Sequence, residues 1–371
     1  MRDTGAWLYP CPCHRTSTLE ELRAHLASSL RLRQAIRELR LSTRCAERDA
    51  TPSLQTVRAI VDLVHNLDAL EIKDFECTSA LDVTSAPMRP VAELRLSGSL
   101  WRAQEHAPWL AVLNLFARID RLVVGSFEVL RQCTAAPACG TAARVHSLVV
   151  DIREDGYAAW RLDADHSAPF AAHLGAAPVR AVTLCHPAAR HVQDLSAAWP
   201  ALRELAYVVG CGAPTLAPEA CRSLRALTVG VRLFSYAQMH CELEDALGEG
   251  WEEMLCDLGA TEATKITSLS IVFLVAYHSK DDDELDGTFD TALKTLDWCR
   301  LESVLSRRFT QLEKLSIQIG SHTGNWDGPT LADCRKVVET VARERLSIKY
   351  TKLLEIKDTL RTFVSVHYRA W

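Results

Sequence analysis

One short apolar phrase recurs about ten times along this chain, and it constrains the fold more than any other feature. The phrase is apolar-x-x-apolar-x-apolar, as in Leu67-Asp-Ala-Leu70-Glu-Ile72. Its last two apolar residues are two positions apart, so they share one face of a β-strand. Clear copies begin at Ile36, Leu67, Val91, Ile119, Val145, Val179, Leu202, Leu224, Ile266 and Leu312. The sequence therefore predicts a long series of similar strands.

Apolar stripes with helical spacing lie between these strands, as in Leu54, Val57 and Ile60. Alternation of strand and helix predicts parallel strands, because each connection must cross back over a helix. Residues between the apolar anchors are often charged, for example Arg40 and Arg95, which predicts one polar face for each strand. We therefore predict an α/β fold of the irregular leucine-rich-repeat solenoid type, with parallel strands on the concave face and helices and loops on the convex face. A doubly wound sheet is the alternative.

The spacing of the phrase suggests the domain organisation. We predict an N-terminal tail and capping helix over residues 1–34, and one irregular solenoid over residues 35–371. Successive copies are 22 to 46 residues apart, and the two longest intervals are the last two. The segment Glu242–Asp290 contains 14 acidic residues and only two lysines. We therefore expect acidic insertions near residues 231–262 and 278–290.

Composition excludes several function classes. The chain has 371 residues, a formal net charge of −5 and 48% hydrophobic residues, which favours a folded core and gives no reason to expect nucleic acid or membrane as a partner. The N-terminus lacks the apolar segment of a signal peptide, and no stretch of 18 apolar residues exists. The 13 cysteines are scattered and not arranged as a disulfide framework. We therefore expect an intracellular protein of the cytoplasm or nucleus.

Motifs with possible chemistry are weak. The best metal-like cluster is Cys11-Pro-Cys13-His14, which lacks the spacing of a zinc site and has no second pair nearby. The run from Asp282 to Gly287 resembles the start of a calcium loop but has Leu293 where a carboxylate is required. No nucleophile elbow, phosphate-binding loop or paired-histidine zinc motif occurs. The sequence predicts no catalytic residue, no metal site and no cofactor.

Candidate binding residues lie between the apolar anchors. Arg180, Arg203 and Arg225 occupy the second position of three consecutive phrases, and Glu204 follows Arg203. Adjacent strands are about 4.8 Å apart, so these arginines should form a basic ladder able to bind an acidic partner segment, although a solvated face would give the same pattern. Trp251 and Trp326 lie in polar or glycine-rich stretches and are predicted to be exposed aromatic anchors.

Together with the repeats, two stretches resemble fungal F-box-like proteins of basidiomycete type. These are Ser17–Leu41, a leucine-rich helix leading into the first strand, and Leu312-Glu-Lys-Leu-Ser-Ile317. The resemblance implies substrate recognition for a cullin-type ubiquitin ligase. The F-box itself is not visible in the roughly sixteen residues before the first helix, so ligase-adaptor binding is expected only if an F-box lies upstream.

The sequence thus predicts a non-enzymatic protein-protein interaction module whose protein partner is unknown. It would bind through the concave face or through the long loops after Val229 and Ile271. The alternative is a hydrolase or transferase on an α/β sheet, which would need polar residues converging at the strand ends.

Overall fold

A computed structural model describes residues 19–42, 54–73, 89–97, 112–113, 115–125, 144–150, 179–184, 199, 201–209, 218–234, 243–262, 265–276, 285–321 and 331–358. The chain divides into two compact units. The first five described strands belong to unit 1, and the following six belong to unit 2.

Unit 1 contains three described helices and five described strands. They are, in chain order, α1 (Leu19–Ser28), α2 (Leu30–Ala35), β1 (Glu38–Ser42), α3 (Leu54–Leu63), β2 (Ala69–Lys73), β3 (Val91–Ser97), β4 (Arg118–Gly125) and β5 (Arg144–Val150). The strands pair in chain order, and every pairing from β1 to β5 is parallel.

Unit 2 contains six described helices and six described strands. They are β6 (Ala181–Leu184), β7 (Glu204–Val208), α4 (Pro218–Ser223), β8 (Ala226–Phe234), α5 (Leu243–Ala260), β9 (Ser268–Ala276), α6 (Leu285–Thr295), α7 (Trp298–Arg308), β10 (Lys314–Ser321), α8 (Leu331–Arg345), α9 (Ile348–Thr351) and β11 (Leu354–Asp358). These strands also pair in chain order and in parallel. The predicted α/β class with parallel strands is confirmed.

The apolar anchors of the repeated phrase lie in register. In unit 1, Leu70 pairs with Leu94 and Leu94 with Leu122. In unit 2, Leu227 pairs with Leu269, as does Leu315. All six leucines are fully buried or nearly so. We call the strand face that carries these residues the anchor face, and the other the opposite face.

Helices α3 and α5 show how the sequence produces the packing. The predicted stripe of α3 is confirmed, since Val57, Ile60 and Val61 are completely buried. Helix α5 buries Met254 and Leu258, which are four residues apart and therefore lie on one side of the helix. The segment predicted as an acidic insertion at 231–262 thus contains the end of β8 and all of α5, whose acidic residues Glu249, Glu252 and Glu253 are solvent-accessible.

Helix breaks follow local capping. The apolar stripe that runs from Leu293 to Phe309 is divided between α6 and α7, because the Asp297 side chain accepts a hydrogen bond from the backbone N–H of Arg300 at 2.8 Å. Ser29 starts α2 in the same way, by accepting from the N–H of Leu32. Consequently the N-terminal stripe does not form one helix, and Leu30 is 55% exposed.

Candidate functional site

The three predicted arginines directly precede three neighbouring strands of unit 2, β6, β7 and β8. The backbone N–H groups of Arg203 and Glu204 both donate to the carbonyl oxygen of Arg180, at 2.8 and 3.0 Å. One strand further, the N–H groups of Arg225 and Ala226 donate to the carbonyl of Arg203, at 2.8 and 3.0 Å. The repeated geometry aligns Arg180, Arg203 and Arg225, which we call the arginine row.

The arginine row is exposed and carries uncompensated charge. All three side chains are solvent-exposed, as is Glu204. None of the three guanidinium groups forms a salt bridge with a carboxylate in the part of the chain that the structure describes. The Nη1 of Arg225 donates to the backbone carbonyls of Arg222 and Leu224, at 3.0 and 2.9 Å. These contacts orient the Arg225 guanidinium without neutralising its charge.

The same position on the next two strands is not basic. The N–H of Thr267 donates to the carbonyl of Arg225 at 2.9 Å, and the N–H of Glu313 donates to the carbonyl of Thr267 at 2.8 Å. The residues at this level therefore run from three exposed arginines through a half-buried threonine to an exposed acidic residue. The sequence could have revealed this charge gradient, because each residue directly follows the first anchor of its phrase.

Small side chains cover part of the opposite face beside the arginine row. Ala226 and Thr228 on β8 pair with Ser268 and Ser270 on β9, and all four are half-buried. Closer to the strand ends, the opposite face is no longer exposed to solvent, since Val272 is completely buried. The prediction of a polar opposite face along each whole strand is therefore wrong for this part of unit 2.

Charged residues within strands β1–β4 of unit 1 form ion pairs. The Glu93 carboxylate forms ion pairs with Arg95 on its own strand and with Arg121 on β4, the latter at 3.1 Å. Arg40 and Glu71 pair across β1 and β2 at 3.6 Å. Arg89 is bound differently: its guanidinium donates to the carbonyls of Val61, Val64 and His65 at the end of α3. Burial lowers the pKa of Arg89, against the opposing effects of Asp62 and Asp68.

Trp251 is not an exposed anchor, which corrects the prediction. It lies in α5 and is 1% exposed. Its ring stacks on Phe273 of β9, with 6.2 Å between centroids, and contacts Trp298 of α7 at 5.0 Å. The polar neighbours that suggested a loop, such as Glu252, lie on the accessible side of the same helix. Trp326, the other predicted aromatic anchor, lies outside the described residues.

A buried polar pair in unit 2 escaped the sequence reading. Asp257 of α5 is 5% exposed and Tyr207 of β7 is 2% exposed. The Tyr207 hydroxyl does not meet the distance and angle criteria for a hydrogen bond to any residue within the described ranges. It is nevertheless close enough to the Asp257 carboxylate for each group to shift the pKa of the other. Burial, and then the charge of Asp257, raise the pKa of Tyr207 well above that of an ordinary phenol. Burial, and then the charge of Glu253, raise the pKa of Asp257 to about 6, although Tyr207 opposes this.

The remaining chemical motifs give little. The cluster Cys11-Cys13-His14 and the start of the calcium-like run lie outside the described residues, and no group of three metal-ligating side chains occurs within them. Four cysteines fall inside the described ranges and form no disulfide bond, namely Cys221, Cys256, Cys299 and Cys334. Among the described helices, none combines the length and the apolar character that spanning a membrane requires.

Comparisons with known proteins do not assign this chain to a family. No protein-family model matches the sequence, and no curated protein matches it significantly.

Proposed function

We propose that this chain is a non-enzymatic protein-interaction module that binds a partner protein at the arginine row. The observation that carries the proposal is the alignment of three exposed arginines on neighbouring strands without a carboxylate partner in the described part of the chain. Like charges on neighbouring strands repel each other, so this arrangement costs free energy unless an anionic group compensates it.

The repeat pattern supports a leucine-rich-repeat solenoid as the framework of this surface. In such proteins, stacked parallel strands present an extended face for binding. The strand order and the register of the anchors within each unit are compatible with that architecture. The resemblance to fungal F-box-like proteins suggests the biological role, which is selection of a substrate for a cullin-type ubiquitin ligase in the cytoplasm or nucleus.

A hydrolase or transferase is the competing proposal. Its site would combine polar side chains at the ends of parallel strands. The perturbed pKa of Asp257 is a feature that catalytic groups share. Asp257 is almost fully buried, however, and lies on a helix beside a strand interior, which favours a structural group over a catalytic one.

Affinity purification of the full-length protein from its native cells tests the proposed role. We expect a bound protein partner, together with cullin-ligase subunits if an F-box lies upstream of this sequence. Recovery of the partner without any ligase subunit would contradict the ubiquitin role and leave the interaction function in place.

Charge reversal tests the surface. We expect the double variant Arg203→Glu/Arg225→Glu to capture about tenfold less partner, because it replaces two attractive contacts with repulsive ones. The matched control is Arg307→Glu/Arg308→Glu, which changes two exposed arginines of α7 by the same charge. Equal capture by both variants would rule out the arginine row as the binding surface.

A further inference from the structure

The charge gradient beside the arginine row limits what it can bind. Neighbouring strands are about 4.8 Å apart, so the row spans about 10 Å and Glu313 lies about 10 Å beyond Arg225. Thr267 separates the basic end from this acidic residue. An anionic ligand that extended evenly along the whole level would meet attraction at β6–β8 and repulsion at β10.

The spacing of side chains along an extended peptide matches the length of the arginine row. An extended chain rises about 3.3 Å per residue, and alternate side chains project to the same side about 7 Å apart. Two carboxylates at alternate positions therefore fit above three arginines, and each can be bound by a planar guanidinium fork. A carboxylate six positions after the first one, about 20 Å along the peptide, would lie above Glu313.

The neighbouring surface allows close approach of a backbone. Ala226, Thr228, Ser268 and Ser270 are small and half-buried, and three of them carry hydroxyl groups that can bond to peptide groups. A nucleic acid is a poorer fit, because its charge is continuous along its length and would extend from the row to the exposed carboxylate of Glu313, about 10 Å beyond Arg225.

We propose that the arginine row binds an extended segment of a partner protein with the pattern acidic-x-acidic across β6–β8, followed by uncharged residues across β9 and β10. This proposal rests on the proposed interaction function and specifies the chemistry of its ligand. Arg180, Arg203 and Arg225 supply the charge that selects the acidic pair. Glu313 sets the limit of the acidic stretch.

Labelled synthetic peptides and the full-length protein test this proposal by fluorescence anisotropy at low salt. The short probe has two glutamates at alternate positions in a glycine-serine chain, the long probe has five, and the reference has glutamines. We expect the short probe to bind Arg203→Glu/Arg225→Glu at least tenfold more weakly than it binds the wild-type protein. The control variant Arg307→Glu/Arg308→Glu should bind the short probe as tightly as the wild-type protein does. We expect Glu313→Gln to strengthen binding of the long probe about threefold and to leave the short probe unchanged.

Three results would overturn the proposal: equal binding of the glutamine reference, equal binding of the short probe to the row variant, or tighter binding of a single-stranded RNA oligonucleotide of equal length. An unchanged affinity of Glu313→Gln for the long probe would refute the limit set by Glu313. Circular dichroism of each variant establishes that it is folded. If the peptides bind as expected while purification from cells yields no protein partner, the chemistry of the row stands and the proposed function fails.

Discussion

Strands β1–β4 of unit 1 and the neighbouring strands β6–β8 of unit 2 place charge in opposite ways. In unit 1, Glu93 is bound to two arginines, and Arg89 is bound to the end of a helix. In unit 2, the arginines that directly precede β6–β8 have no carboxylate partner within the described residues, and the one buried carboxylate, Asp257, has no cation partner there. The ion pairs of Glu93 therefore lie within unit 1 itself, whereas the arginine row of unit 2 has no carboxylate partner in the described part of the chain.

The largest effect should follow loss of the aromatic core of unit 2. Trp251→Ala removes a buried ring that contacts Phe273 and Trp298, and we expect a loss of about 3–5 kcal/mol in the free energy of unfolding. Hydrogen exchange followed by mass spectrometry should show faster exchange in α5 and β9, with unchanged exchange in β2 and β3. Trp251→Phe is the control, since it retains an aromatic ring and should cost less. Equally faster hydrogen exchange in both units would contradict the assignment of this ring to the core of unit 2.

A smaller effect should follow from the buried carboxylate. The folded pKa of Asp257 is about 6 and its ordinary value is 3.8, so the folded state binds more protons between these values. The stability that this group contributes is fully present below about pH 4 and is lost as pH rises through about 6. Asp257→Asn should therefore increase the free energy of unfolding at pH 7 by about 1–3 kcal/mol and remove this slope. Urea unfolding at several pH values from 4 to 7 measures both the free energy of unfolding and its dependence on pH. The control is Glu252→Gln, a change at an exposed residue of the same helix, which should leave the pH dependence unchanged. A slope that persists in Asp257→Asn would contradict this assignment.

The smallest effect compares two glutamates at the same position of the repeated phrase. Glu93 in unit 1 has two arginine partners, whereas Glu204 in unit 2 is exposed and has no ion pair in the described part of the chain. We expect Glu93→Gln to cost about 1 kcal/mol and Glu204→Gln less than about 0.5 kcal/mol, measured by urea unfolding. An equal loss in the free energy of unfolding for the two variants would show that the ion pairs of Glu93 do not stabilise unit 1.

The strands were predictable because their signal is local. Each phrase contains its own two-residue alternation, which alone predicts that Leu94 and Leu269 lie on the apolar face, and both are buried there. The stripe of α3 was equally clear for the same reason. The positions of Arg203 and Arg225 on neighbouring strands also followed, because parallel pairing in chain order aligns identical positions of successive phrases.

The environment of Trp251 and Asp257 was not predictable in this way. Six acidic residues within α5 obscured its apolar side, and the suggestion of an exposed loop followed from composition rather than from spacing. The pairing of Tyr207 with Asp257 joins residues 50 positions apart and depends on how α5 packs, which no local pattern specifies. Burial of Val272 on the opposite face likewise depends on tertiary contacts.

Strand pairing in chain order has a consequence for how such a chain can change over time. Within each unit every strand pairs with the strands before and after it, so each pairing closes only the connection between them. The entropic cost of closing a loop increases by only about 0.6 kcal/mol when its length doubles. Intervals of 22 and 46 residues are therefore almost equivalent thermodynamically. Insertions and deletions between the phrases can accumulate during evolution at little cost, while the register of the anchors is retained.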